Sequence, residues 1–390
     1  MDSRIYLDFA ATTPLRPEAL EAMRPFFSEA GFNPSSLHAE GRRARAALDE
    51  ARDRVAALLG VGRKELTFSG SGTESDNQAI LGVARAHPEK RHVVATTIEH
   101  HAVLHALDAL REQEYEITLV PVGEQGVVDV NAFKHAVRDD TLLASVMYGN
   151  NEIGVIQPVQ ELASIAHERG ALFHTDAVQA AGWLAIRPRT LGVDLLTLSA
   201  HKFYGPKGVG MLFARDGVRV EPLVYGGGQE FGKRSGTENV AGIVGAVAAF
   251  ELAQSGVAER SKRVGALRNR LEEGIVASIG DVRVNGAGAS RLPHILSVSF
   301  GEVDSEAMLA GLDLEGVAVS AGSACTSGAI DPSHVLGALG IPERWQQGVI
   351  RFSLGDTTTE AEIERVLSIL PGLTARLRGN RVSARKARLA

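Results

Sequence analysis

The chain has 390 residues, of which 23% are charged and 44% hydrophobic, with a formal net charge of −6. This length allows a substantial buried core and two domains, in a composition typical of soluble globular proteins. No stretch approaches the continuous apolar length of a membrane span, and the negative balance argues against a general nucleic-acid surface. A single cysteine, Cys325, excludes an intramolecular disulfide and leaves no thiolate metal site to expect.

Met1-Asp2-Ser3-Arg4 runs straight into a strand without an apolar signal region, which predicts a cytoplasmic protein. Pro17 to Glu29 reads as a helix with proline at its first position. Ser36 to Leu59 reads as a long amphipathic helix closed by Gly60. Glu65–Ser69 is a strand, Glu74–Arg85 a helix, and His92–Thr97 a strand leading into a helix through Leu110. Thr141–Tyr148 is a strand, Pro158–Arg169 a helix stopped by Gly170, and Ala171–Thr175 the next strand. Val193–Leu198 is a buried strand. Gly208–Ala214 follows it so closely that an antiparallel arrangement is expected. Thr237–Gln254 is apolar and Gly/Ala-rich, as in a closely packed helix, and a polar helix follows over Ser261–Glu273. Strands near Asp281–Asn285, Ile295–Phe300, Val317–Ser320 and Val349–Leu354 alternate with helices near Ser305–Leu312, Ser333–Leu339 and Thr359–Leu370. The alternation predicts an α/β fold with a mostly parallel sheet, plus a smaller α+β unit. The last fifteen residues carry Arg376, Arg378, Arg381, Arg385, Lys386 and Arg388 and no acid, which suits either a frayed solvated end or a contact for an acidic partner.

Candidate chemistry clusters at strand ends. Ser199-Ala200-His201-Lys202 closes the Val193–Leu198 strand. A lysine there is either solvated or desolvated enough to form a Schiff base with a carbonyl cofactor. Asp176 follows the Ala171–Thr175 strand, with Gln179 three residues on. It is either a helix cap or the carboxylate that keeps a pyridine nitrogen protonated. Ser69-Gly70-Ser71-Gly72-Thr73-Glu74 joins a strand to a helix start, as a Gly-rich turn or a phosphate cradle. Glu99-His100-His101 offers two imidazoles, either able to lie over a planar cofactor. Asn150-Asn151 suits a turn or a ring hydroxyl. Arg351 sits inside an apolar strand, where it requires an internal acid or a substrate carboxylate. Cys325 stands in Gly322-Ser323-Ala324-Cys325-Thr326-Ser327-Gly328, a setting for a loop that delivers a nucleophile rather than for a buried thiol.

Together with Tyr6-Leu7-Asp8-Phe9-Ala10-Ala11-Thr12-Thr13-Pro14, Asn33-Pro34-Ser35-Ser36 and Arg234-Ser235-Gly236-Thr237, these blocks make the chain resemble the NifS/IscS-type cysteine desulfurases of the class V aminotransferase group. The blocks run nearly from end to end. Phe9 stands where many relatives have asparagine or tyrosine, and Gly72 where many have alanine. The Gly-Ser-Ala-Cys-Thr setting resembles the long-loop subgroup.

The resemblance implies a fold type I architecture. Its large cofactor domain would span 16–260, and a small α+β domain would comprise 1–15 and 261–390 and carry the Cys325 loop. It also implies a pyridoxal phosphate cofactor held by Lys202. Gly72, Thr73, Ser199 and His201 would bind the phosphate, joined by Thr237 from the other subunit of a homodimer. His100 would stack on the ring and move protons, Asp176 would pair with the ring nitrogen, and Gln179 and Asn151 would reach the ring hydroxyl. Arg351, with Asn33 nearby, would hold the carboxylate of L-cysteine. The Lys202 amine would remove the α-proton. The Cys325 thiolate would then attack the substrate sulfur, leaving alanine and a persulfide for an iron–sulfur scaffold or another sulfur acceptor. A selenocysteine lyase or an ordinary class V aminotransferase would share the cofactor site. A sulfur-assembly structural subunit would keep the fold without the chemistry.

Overall fold

A computed structural model describes residues 4–322 and 333–389, with side chains described as far as Gly379. Its strands, in chain order, are β1 (Ile5–Tyr6), β2 (Leu66–Ser69), β3 (His92–Thr96), β4 (Glu116–Val120), β5 (Thr141–Ser145), β6 (Leu172–Asp176), β7 (Leu195–Ser199), β8 (Gly210–Ala214), β9 (Val282–Asn285), β10 (Ile295–Phe300), β11 (Val317–Ala318) and β12 (Val349–Ser353). A seven-stranded sheet runs in the order β2-β8-β7-β6-β5-β3-β4. Neighbours from β7 to β4 are parallel, while β8 runs antiparallel to both β2 and β7. The β7–β8 connection holds a 3-10 turn at Ala200–Lys202 and no crossover helix, so the chain returns antiparallel, as its closeness in sequence predicts.

Central strands β3, β5, β7 and β8 are buried throughout, as expected when helices cover both faces of a parallel sheet. At the edge, β4 exposes Glu116 and half-buries Ile117–Leu119. That mixed pattern carries little strand signal, and the sequence reading did not include this strand or the helix Val130–Ala136.

The C-terminal part has a three-stranded antiparallel sheet, β12-β10-β9. The N-terminus joins it: β1 pairs in parallel with β11, and Asp8 bridges to Ser353. The apolar helix Val240–Ser255 packs on helices Pro17–Met23 and Ala39–Leu59. Among the described residues, no single helix is long and apolar enough to cross a membrane.

Several expected boundaries move. The first helix ends at Met23 and continues as a 3-10 turn over Arg24–Phe27, because Pro25 lacks the N–H that would extend it. The helix expected from Ser36 begins at Ala39, capped by His38 Nδ1 accepting from the Gly41 N–H at 3.2 Å. The polar helix after Gly256 covers Val257–Ser278. The final helix runs over Glu360–Leu389 through Pro371 rather than stopping before it. It is anchored rather than frayed at Arg378, whose guanidinium donates to the carbonyls of Gly301, Gly280 and Asp281, each at 2.9 Å.

Candidate active site

The carboxyl ends of β2, β3, β5, β6 and β7 open onto one cavity of about 400 Å3, the position where open α/β sheets bind ligands. Lys202, Asp176, His100, Gly72, Thr73, Asn151, Gln179, Ser199, His201 and Arg351 all line it. Ten of the residues singled out in the sequence therefore meet at one place.

Lys202 ends the turn after β7 and donates from Nζ to the carbonyls of Ala10 (2.6 Å) and Ala11 (2.8 Å). The N-terminal segment is thus part of the cavity wall. Gln179 holds the same segment, donating to the Ala10 carbonyl at 2.9 Å. Asp176 is buried at the end of β6. Burial raises its carboxyl to about 6, while the Val178 N–H, donating to Oδ1 at 2.8 Å, and the Lys202 charge favour the ion. The carboxylate therefore caps the turn that follows and also faces the cavity.

His100 is the N-cap of helix His101–Arg111, its Nδ1 accepting from the Ala102 N–H at 3.1 Å. Burial, reinforced by the Lys202 charge, lowers its imidazole to about 4. The ring is neutral near pH 7, and with Nδ1 accepting, its proton sits on Nε2. His101 packs instead against His105 and His334, at ring separations of 5.1 and 4.7 Å. The asparagine pair divides in the same way. Asn150 is buried and shapes the turn through bonds to Glu152 N, Ile153 N and Ile98 O, whereas Asn151 lines the cavity.

The Gly-rich loop over 69–74 is built by close approach. A Cβ on Gly72 would lie 3.0 Å from Val178 Cγ2 and 3.1 Å from Ser199 Cβ. Ser71 caps the helix by accepting from the Glu74 N–H at 3.1 Å. At Gly210, a Cβ would fall 2.1 Å from the Ser71 carbonyl oxygen, so only glycine lets β8 pass beneath this loop. His201, lowered to about 4 chiefly by burial and then by the Lys202 charge, bonds through Nδ1 to the Thr12 hydroxyl at 3.1 Å.

Two expected residues do not line this cavity. Asn33 is exposed and accepts from the Ser35 N–H at 2.9 Å, away from the cavity. Thr237 lines a separate cleft of about 200 Å3 with Gly70, Glu230 and Arg234. Cys325 falls outside the described residues, though Gly322, just before that segment, lines the cavity. Arg351 is 2% exposed and pairs with Asp8 at 2.8 Å, while donating to the Asn151 carbonyl at 2.9 Å. The sequence reading did not single out Ala10 and Ala11, which contribute through the backbone, or Asp76, which appears in sequence as an ordinary polar residue near a helix start.

The family model for class-V aminotransferases matches residues 5–366. The chain belongs to this family. Class-V aminotransferases are pyridoxal-phosphate-dependent enzymes, and the cavity fits that cofactor. It combines a lysine amine, a buried acid and a close-packed loop in which a side chain on Gly72 would crowd Val178 and Ser199. Among curated relatives of this class-V chain, a cysteine desulfurase IscS of Dictyoglomus turgidum is 48% identical over 97% of this chain and 96% of its own length. A solved NifS-like protein superposes with a TM-score of 0.89 at 38% identity, covering 96% of this chain and 99% of the other. A structure of SspA in complex with cysteine superposes with a TM-score of 0.80 at 32% identity, covering 91% and 100% of the two chains.

Proposed function

We propose that this class-V enzyme is a cysteine desulfurase that converts L-cysteine to L-alanine and carries the sulfur as a persulfide on Cys325. The meeting of Lys202, Asp176 and His100 in one cavity carries this reading, together with relatives of that name along nearly the whole chain. Lys202 would hold the cofactor covalently. Gly72, Thr73, Ser199 and His201 would take its phosphate, and Asp176 its ring nitrogen. Asn151 and Gln179 would meet the ring hydroxyl. Bound pyridoxal phosphate supplies an electron sink that acidifies the substrate α-proton.

The chain's own groups do the rest. The Lys202 amine takes the α-proton. Neutral His100 would take the thiol proton of Cys325 on Nδ1, giving up the bond from the Ala102 N–H; a thiol with the ordinary value near 8.5 is mostly protonated at neutral pH. The thiolate then attacks the substrate sulfur. A sulfur–sulfur bond forms, the substrate carbon–sulfur bond breaks, and its electron pair goes to the carbon that becomes the alanine methyl group. Arg351 would hold the substrate carboxylate.

The reading includes a cytoplasmic homodimer. Thr237 lies outside its own chain's cavity, on a segment with exposed Val224, Tyr225 and Phe231, which suits delivery to a partner's phosphate site. Arg234 on that segment donates to Glu74 at 2.8 Å, and Glu74 in turn accepts from the Gly70 N–H at 2.8 Å, tying the segment to the phosphate loop. The persulfide would pass to an iron–sulfur scaffold or another sulfur acceptor. Equal release of alanine and sulfide from L-cysteine under reducing conditions, absent in Lys202→Ala, is the test. Pyruvate or keto-acid exchange without sulfide would favour an aminotransferase instead.

A further inference from the structure

Helix Gly72–Asn77 brings more to the cavity than a phosphate cradle. Asp76 lines the same cavity and is 2% exposed. Its Oδ1 is buried and accepts no hydrogen bond. His174 Nε2 lies 3.6 Å from that oxygen. His174 stands two residues before Asp176 on β6, and so on the same face of the strand. It bonds to the hydroxyls of Ser145 at 2.9 Å and Thr197 at 3.1 Å. Burial lowers the His174 imidazole to about 3, so the ring is neutral and supplies no counter-charge.

The groups that act on Asp76 are Asp176 and His174 from β6, Thr197 from β7 and Glu99 after β3. Neutral His100 starts the neighbouring helix, and β2 and β8, which also pack on this helix, carry no ionisable side chain. A carboxylate with an unpaired oxygen is costly in such a place, whereas a neutral acid is not. Lys202 favours the ion of Asp176. Two acids buried in one site then divide their charge unequally.

We propose that Asp76 is a positioning residue of the cofactor site, holding a proton beside Asp176 so that the negative charge of this acid pair stays on Asp176. Burial first, and then the Asp176 charge, hold the Asp76 carboxyl well above the usual range, with Glu99 adding to this and the Thr197 hydroxyl opposing it. The proposal rests on the assignment of Asp176 to the cofactor nitrogen.

Infrared difference spectra of the holoenzyme test it. Wild type at neutral pH should show a protonated-acid carbonyl band that is lost in Asp76→Asn. Raising the pH should remove that band from wild type and change the visible absorption of the bound cofactor, a step the variant lacks. Identical infrared spectra, or an unchanged alkaline step in Asp76→Asn, would overturn the proposal. Should the variant not fold, wild type labelled with 13C-aspartate answers the same question. A band that moves with the label supports the proposal and separates it from Glu99; a band that stays, or no band, overturns it. Full turnover by cofactor-loaded Asp176→Asn would overturn the assignment of Asp176, and the proposal with it, whether or not the band is present.

Discussion

Arg351 and Asp8 form an ion pair of 2.8 Å on the cavity wall, joining the last strand of the small sheet to the N-terminal segment that also receives Lys202. The guanidinium that is assigned to the substrate carboxylate therefore already has an acidic partner. Its buried Nε has no hydrogen bond, so it retains donor capacity for a second acid.

Replacing Arg351 with lysine keeps the charge near Asp8 but loses the planar fork. Removing a charge-assisted hydrogen bond costs about 1.5–3 kcal/mol, so Arg351→Lys should raise KM for L-cysteine by about 10- to 150-fold with a smaller change in kcat. Steady-state kinetics decide this. An unchanged KM with lowered stability would leave Arg351 as the structural partner of Asp8 alone.

The cradle makes a second, steric prediction. Contacts of 3.0 and 3.1 Å await a Cβ at Gly72, so Gly72→Ala should be absorbed by small shifts of Val178 and Ser199. Gly72→Val adds two further methyl groups to a filled space, at a cost of about 1–3 kcal/mol. Titration of the apoenzyme with pyridoxal phosphate should show binding weakened by ~5- to 150-fold in the valine variant, with the fold intact by circular dichroism. Equal affinity in both variants would mean that the cofactor phosphate lies elsewhere.

Glu99 gives a pH prediction. Burial, its largest cause, pushes the Glu99 carboxyl up to about 8, against hydrogen bonds from Thr96 and the Met147 N–H. The folded value lies above the unfolded value of about 4.3, so the native state holds a proton that the unfolded chain has lost. This contribution to stability is fully present below the unfolded value and is lost as pH rises through about 8. Glu99→Gln cannot lose a proton and should escape that decline. Urea midpoints measured at about pH 5 and about pH 8 should fall less in the variant than in wild type. A parallel fall in both would contradict it.

Much of the fold could be read from the chain because parallel strands buried on both faces leave uninterrupted apolar runs, as at Leu195-Leu196-Thr197-Leu198. Strand β4 did not stand out, since an edge strand beginning with exposed Glu116 lacks that run. Lys202, Asp176 and His100 were legible because each follows a strand end, where loops meet a ligand. Local sequence could not choose between His100 and His101 or between Asn150 and Asn151. The choice is made by neighbours distant in the chain, such as His334 against His101 and the Ile98 carbonyl against Asn150. Asp76 looked like a solvated helix residue; the burial that gives it chemical interest comes from β6 and β7, more than ninety residues away. Turn capping and a place on the cavity wall likewise proved compatible at Asp176, whose one carboxylate accepts from the Val178 N–H and also lines the cavity.

The central claim is that sulfur leaves L-cysteine for Cys325, and mass spectrometry of the peptide containing Cys325, after brief exposure of the holoenzyme to L-cysteine, tests it most directly. Ring chemistry is assigned to Lys202, Asp176 and His100, and Cys325 acts only at the sulfur-transfer step. Wild type should therefore gain one sulfur atom on that peptide, and Lys202→Ala should gain none. Cys325→Ser should keep the cofactor's absorption spectrum and its response to L-cysteine while releasing no sulfide, since a hydroxyl is a poor nucleophile toward sulfur. Sulfide release by Cys325→Ser at the wild-type rate, or an unmodified Cys325 peptide in turning-over wild type, would contradict the account and place the enzyme among lyases or transaminases instead.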